Sequence, residues 1–80
     1  MPETSEDPGA IIESTLNHLS ATREYAEALR GDIVSAFKSS AIPEVQFRYM
    51  KERVEKFLNQ IDLYESIFVS IRDAYSAAVK

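Results

Sequence analysis

The sequence predicts an all-α fold in which two long helices pack as an antiparallel hairpin. An unbroken heptad pattern fills the second half of the chain, a thinner amphipathic pattern fills the first half, and a short connection containing proline separates them. The predicted layout is a disordered acidic tail over residues 1–9 followed by a helical hairpin over residues 10–80. Within the hairpin we expect helices at about 11–38 and about 44–78, joined by a turn at 39–43.

Apolar side chains recur through the second half at alternating steps of three and four residues. This spacing places them on one stripe of an α-helix, and the period of two that is typical of a strand does not fit. At about 1.5 Å per residue the helix is roughly 50 Å long, and so long an apolar stripe needs to be covered by another element. The stripe consists of Phe47, Met50, Val54, Phe57, Ile61, Tyr64, Phe68, Ile71, Tyr75 and Ala78.

A second apolar stripe, with fewer large side chains, predicts the first helix. Lys38 suits its last turn, because a cation is favourable at the negative end of the helix dipole. Gly31 lies inside this helix, where glycine costs roughly 1 kcal/mol relative to alanine. Two interpretations stay open: a break with Asp32 capping a new helix start, or close approach of the facing helix. The stripe consists of Ile12, Leu16, Leu19, Ala26, Leu29, Ile33 and Phe37.

Prolines mark the segments on either side of the first helix. Pro8 and Gly9 follow three acidic residues, and this composition predicts that residues 1–9 are disordered because they offer nothing to bury. After residues 39–42, Pro43 suits the first turn of a helix, since its missing N–H would have no partner there. So short a connection predicts that the two helices run antiparallel.

Charge and composition argue against several classes of function. The net charge of −4 is concentrated in the first nine residues, and the nearly neutral remainder lacks the basic surface that nucleic acids or anionic membranes require. No apolar stretch approaches the ~20 residues that span a bilayer, and the acidic amino terminus does not resemble a signal peptide. The absence of cysteine fits a reducing compartment. We therefore expect a cytoplasmic protein that does not insert into membranes.

No residue pattern predicts catalysis, a cofactor or a metal ion. The only glycines, Gly9 and Gly31, form no phosphate-binding loop. His18 is the only histidine, and it has no carboxylate three or four residues away with which to form a metal site. The serines lack a neighbouring base, and the four tyrosines suit a core or an interface better than catalysis. We expect a protein that is not an enzyme.

Toward its carboxyl end the second helix is apolar over more of its circumference than one facing helix covers. An exposed apolar patch of this kind marks a protein contact surface. The alternative is that the start of the first helix, at Ile11 and Ile12, folds over the patch within the same chain. The predicted partner-binding residues are Leu63, Ile67, Ile71, Ala74 and Tyr75.

Several features together resemble a known family. The first helix opens with an aliphatic-acid-x-x-Leu element at residues 12–16, Arg23 and Leu29 follow, and a long second helix begins after a proline-bearing turn. Over about residues 11–75 the chain resembles the YscE-like needle co-chaperones of bacterial type III secretion, a family linked to virulence. The resemblance implies a non-enzymatic co-chaperone that pairs with a tetratricopeptide-repeat chaperone, and the pair keeps the needle subunit soluble until export.

Two other interpretations stay open. The chain is also similar to the needle subunit itself, a polymerising hairpin with an aliphatic-basic-Asp element like that at residues 71–73. A self-associating hairpin would instead give a homodimer with four helices, serving as a small regulator. In that case a basic strip diluted by acidic neighbours would be the candidate for nucleic-acid contact, namely Arg48, Lys51, Arg53 and Lys56.

Overall fold

The computed structural model describes residues 7–78, which form a hairpin of two long α-helices. Helix α1 spans Pro8–Lys38 and helix α2 spans Glu44–Ala78. The predicted helical hairpin is confirmed, and the turn between the helices lies where the sequence placed it. The predictions for residues 1–6 and for the last two residues of the hairpin lie outside the described residues.

Helix α1 begins earlier than predicted, at Pro8. The prediction that Pro8 and Gly9 belong to a disordered tail is wrong. Asp7 is the N-cap: its Oδ1 accepts a hydrogen bond from the Gly9 N–H at 3.4 Å, and its main-chain carbonyl accepts one from the Ile11 N–H at 3.1 Å. Proline suits the first helical position because its missing N–H would have no partner inside the helix. The Pro-Gly pair therefore starts the helix instead of preventing it.

Helix α1 continues through Gly31 without a break. A Cβ built on Gly31 would have no other atom within 4 Å, so α2 does not approach this residue. Both interpretations of Gly31 from the sequence, a break and a close helix contact, are therefore wrong. Nothing in the packing requires a glycine at this position.

The connection between the helices is closed by two main-chain hydrogen bonds. The Ala41 N–H donates to the Ala36 carbonyl at 2.7 Å, and the Ser40 N–H donates to the Phe37 carbonyl at 3.0 Å, which is the Schellman arrangement of a helix end. Ser40 has a φ of 64°, in the left-handed region that glycine usually occupies. This turn brings α2 back along α1, and the ring of Phe37 stacks on that of Phe47 with 4.3 Å between centroids.

The core is one row of small and medium aliphatic side chains between the helices. The molecule measures 55 × 26 × 13 Å along its principal axes, and the smallest extent corresponds to a single layer of helices. A layer with so small a core has a narrow margin of stability on its own. The buried side chains of the described residues are Ile12, Ala26, Ile33, Val54, Leu58 and Ile61.

Candidate protein-interaction surface

Two grooves run between α1 and α2, one on each side of the layer. They differ in chemistry, since the first is lined mainly by apolar side chains and the second mainly by charged ones. We call these two sides the apolar face and the polar face. The groove of the apolar face is lined by Ala21, Thr22, Tyr25, Ala26, Leu29, Val54 and Phe57. The groove of the polar face is lined by Arg23, Glu27, Arg30, Glu55, Leu58, Asn59 and Asp62.

The apolar face extends along both helices beyond its groove. On α2, Phe57, Tyr64 and Ile71 follow one another at steps of seven residues and therefore share one side of the helix. Each of these three is between 42% and 50% exposed. On α1, Ile11 lies two heptads before Tyr25, and both are exposed, Tyr25 to 79%. The large side chains that define the apolar face are Ile11, Tyr25, Leu29, Phe57, Tyr64 and Ile71.

The polar face joins the two helices through ion pairs. Arg23 of α1 lies with its Nη2 2.9 Å from Oδ1 of Asp62, and it also contacts the carboxylate of Glu65. Near the open end of the hairpin, Nη1 of Arg72 lies 3.8 Å from Oε2 of Glu13 on α1. These side chains are partly exposed to water, so each pair contributes about 1 kcal/mol or less. The polar face thus carries ion pairs that join the two helices within the chain.

Helix α1 covers only one of the two rows that make up the heptad stripe of α2. The row of seven-residue steps that begins at Phe47 and passes through Val54 and Ile61 is buried or half-buried throughout. The row that begins at half-buried Met50 and passes through Phe57 is exposed from Phe57 onward. Helix α1 contacts the Phe47 row together with the adjoining row that contains Leu58, which is also buried or half-buried from residue 51 onward, so the Phe57 row lies on the flank of the contact. Four of the ten residues of the predicted stripe, those from Phe57 onward, are therefore left without a covering element.

The predicted partner-binding residues stay largely exposed in the hairpin. Leu63 is 55% exposed and Ile67 is 45% exposed, and Ile71 and Ala74 are also exposed. The start of α1 does not fold over them: Ile12 is buried in the contact between the helices, and Ile11 is exposed. Leu63 and Ala74 lie on the side of α2 that points away from α1. We call the five predicted residues the terminal patch.

Tyr75 differs from the rest of the terminal patch because it also contacts the start of α1. Its hydroxyl donates a hydrogen bond to Oδ1 of Asp7 at 3.2 Å, and a Cβ built on Gly9 would lie 3.0 Å from its ring. Partial removal from water raises the pKa of Tyr75 above its ordinary value of 10.0, and the negative charge of Asp7 raises it further. Tyr75 is thus a member of the terminal patch that also connects the N-terminal turn of α1 to α2.

Two residues of opposite charge border the apolar face. Asp32 lies one heptad after Tyr25 on α1, and Arg53 lies one helical turn before Phe57 on α2. The stacked rings of Phe37 and Phe47 mark one level near the turn. Asp32 precedes the first ring by five residues and Arg53 follows the second by six, so the two charged residues lie at nearly the same level along the hairpin. Within residues 7–78 neither forms an ion pair, although the guanidinium of Arg53 lies 5.6 Å from the ring centroid of Tyr49.

The sequence predicted the terminal patch but not the groove at the centre of the apolar face. Tyr25 was predicted only as one of four tyrosines suited to a core or an interface, and Leu29 and Phe57 were assigned to covered stripes. The side chains of Leu29 and Phe57 are instead about half exposed. Leu58, which lies outside the predicted stripe, is buried, because α1 packs against the side of α2 that Leu58 shares with Ile61. The heptad pattern gave no signal for this placement.

Among residues 7–78 no group of three or more His, Cys, Asp or Glu side chains is placed to hold a metal ion. His18 is exposed, one heptad before Tyr25. Neither helix, as far as the structure describes them, is long and apolar enough to cross a membrane.

Comparison with known proteins gives no family assignment. No family model, curated protein or solved structure matches the chain.

Proposed function

We propose that this chain is a non-enzymatic interaction module that binds a helical protein partner through its terminal patch. The observation that carries the proposal is the exposure of Leu63 and Ile67 after the hairpin has formed. Large apolar side chains that remain exposed beside one another are typical of surfaces that bind proteins. A helical partner fits, because the side chains of α2 form ridges that pack into the grooves of another helix.

The energetics of the hairpin favour a partner. Only one row of side chains is buried between the helices, and a chain of this length buries a modest fraction of its surface. Any protein that binds the folded hairpin and not the unfolded chain stabilises the hairpin in proportion to its affinity and concentration. Binding therefore both covers the terminal patch and supports the fold.

Within this class we propose a co-chaperone, which pairs with a tetratricopeptide-repeat chaperone to keep a type III secretion needle subunit soluble. The support is the resemblance carried by residues 12–16, Arg23, Leu29 and the proline-bearing turn. In the hairpin, Arg23 joins the two helices and Leu29 lines the groove of the apolar face. A repeat protein presents successive helices, which suits the side of α2 that carries Leu63.

The proposal is tested by site-specific photo-crosslinking in the native host. A photoreactive amino acid replaces Leu63 or Ala74 in the terminal patch, and Glu27 on the polar face serves as the matched control. We expect one helical protein to be cross-linked from both patch positions and not from Glu27, with mass spectrometry identifying it. The co-chaperone proposal predicts that this protein is a tetratricopeptide-repeat chaperone.

Other outcomes would contradict the proposal in distinct ways. Equal cross-linking from Glu27 would show that the patch does not select the partner. Concentration-dependent filaments of the purified chain, seen by electron microscopy, would support the needle-subunit interpretation, because head-to-tail contacts do not close.

A further inference from the structure

We infer that the apolar face is occupied by a second copy of this chain, which gives a closed four-helix bundle of two layers. The apolar face shares Ile71 with the terminal patch and otherwise lies on a different side of the hairpin, and the inference does not depend on the partner proposed for the patch. The apolar face runs along both α1 and α2, with Tyr25 and Leu29 on one helix and Phe57 on the other. One added helix fills the groove but leaves the outer side chains exposed, whereas a layer of two helices covers them all. The hairpin is itself such a layer.

A two-fold axis along the length of the hairpin makes the face complementary to itself. This operation lays α1 of one copy over α2 of the other at the same level and in the antiparallel direction. Ile11 and Ile71 lie at one level, because the neighbouring contact of Gly9 with Tyr75 joins the same ends of the helices. Ile11 of each copy then meets Ile71 of the other. Near the middle, Leu29 of each copy meets Phe57 of the other.

Charge complementarity selects the same arrangement. Asp32 and Arg53 border the apolar face at one level, on different helices. When α1 of one copy lies over α2 of the other, Asp32 faces Arg53 twice in the dimer. Removal of these side chains from bulk water strengthens each pair relative to a fully exposed one. The other charged groups that lie between the helices are on the polar face, which remains in water.

The area of the face agrees with that of a stable dimer. From Ile11 to its border at Asp32 the face covers about 32 Å of α1, at about 1.5 Å per residue, and two helices side by side are roughly 20 Å wide. Its flat projection of roughly 640 Å² lies at the lower end of the ~600 to 1,000 Å² that each partner buries in a standard specific interface. A second layer also doubles the thickness of the molecule and gives the bundle a true interior.

The inference is tested with two variants, each of which reverses one of the two charges. Asp32→Lys and Arg53→Glu each place like charges opposite one another in a homodimer, whereas a heterodimer of the two variants restores both attractive pairs. We expect the wild-type chain to sediment as a dimer of twice 9.0 kDa. Each variant alone should have a dissociation constant about 30-fold higher, which corresponds to about 1 kcal/mol for each of the two pairs. An equimolar mixture should recover a dimer with one copy of each variant.

Matched controls separate assembly from folding. Glu27→Lys makes the same change of charge as Asp32→Lys on the polar face and should leave the dimer intact. Tyr25→Glu, at a side chain that is 79% exposed in the hairpin, should abolish the dimer without reducing helicity measured by circular dichroism. Val45→Glu, an apolar side chain that is 75% exposed but lies nearly opposite Ile61 around α2, should have no effect on assembly.

The inference is overturned if the wild-type chain is monomeric at all concentrations, or if the mixture of charge variants gains nothing over each variant alone. A monomer that still cross-links a helical partner from Leu63 overturns the dimer and leaves the proposed function standing. A dimer without such a cross-link overturns the proposed function and leaves the dimer.

Discussion

The two faces of the hairpin are built from the same two helices, but they differ in whether their side chains find partners within the chain. On the polar face, Arg23 spans the helices to Asp62 and Glu65, so charged groups find partners within the chain. On the apolar face, Phe57 and Leu29 border a groove that no third element of residues 7–78 covers. The polar face is held together by ion pairs within one chain, and the apolar face stays exposed within it.

This difference shows where the free energy of association comes from. Exposed ion pairs exchange solvation by water for a partner, and their net contribution is small. Burial of apolar surface contributes about 25 cal/mol per Å². The apolar face contributes little to the stability of the monomer, and its burial would therefore give the larger gain in free energy on binding. The hairpin is therefore stabilised along its buried side, and the row through Phe57 stays exposed.

The largest expected loss of stability comes from substitution in the buried row of α2, which lies between the two faces. Ile61→Ala removes a side chain that is only 2% exposed, and we expect a loss of about 2 to 5 kcal/mol in the free energy of unfolding. Phe57→Ala, on the apolar face, should cost less than half as much at concentrations where the chain is monomeric. Urea unfolding followed by circular dichroism measures both. Equal losses would show that Phe57 is buried in the monomer and would remove the distinction between the faces.

A smaller effect is expected on the polar face. Arg23→Gln removes the ion pairs between the helices and should cost about 1 kcal/mol or less, because the Arg23 side chain is 33% exposed. The loss should shrink at high salt, which screens exposed charges. Arg48→Gln is the control, since its pair with Glu44 lies within α2 and should contribute about 0.3 to 0.5 kcal/mol. A larger effect of Arg48→Gln would mean that the pairs between the helices do not hold the polar face together.

The smallest effect concerns the contact at the open end of the hairpin. The pKa of Tyr75 is raised in the folded chain, so its contribution to stability is fully present below pH 10.0 and is lost as the pH rises through the folded pKa. The wild-type chain should therefore lose part of the helicity of its first turn above pH 10.0, beyond any change in Tyr75→Phe. Circular dichroism during an alkaline titration of both chains measures the difference. Identical titration curves would show that the hydroxyl of Tyr75 does not hold the start of α1.

Much of the fold was predictable from the sequence because it depends on local periodicity. The helical character of the second half, the bounds of α2 and the turn before Pro43 agree with the prediction. The start of α1 was not predictable in the same way, since Pro8 is compatible with a disordered tail and with a first helical turn. The N-cap of Asp7 and the contact with Tyr75, which lies far along the chain, support the second alternative.

Periodicity alone specifies which residues share a side of each helix, because a helix repeats with a fixed period whatever surrounds it. For this reason the terminal patch around Leu63 and Ile67 could be predicted to lie beyond the contact with one facing helix. Which side of α2 packs against α1 depends on the placement of the two helices, and it is known only from the folded hairpin. The same placement put Tyr25, Leu29 and Phe57 around one groove, with Arg23 on the opposite side of the layer.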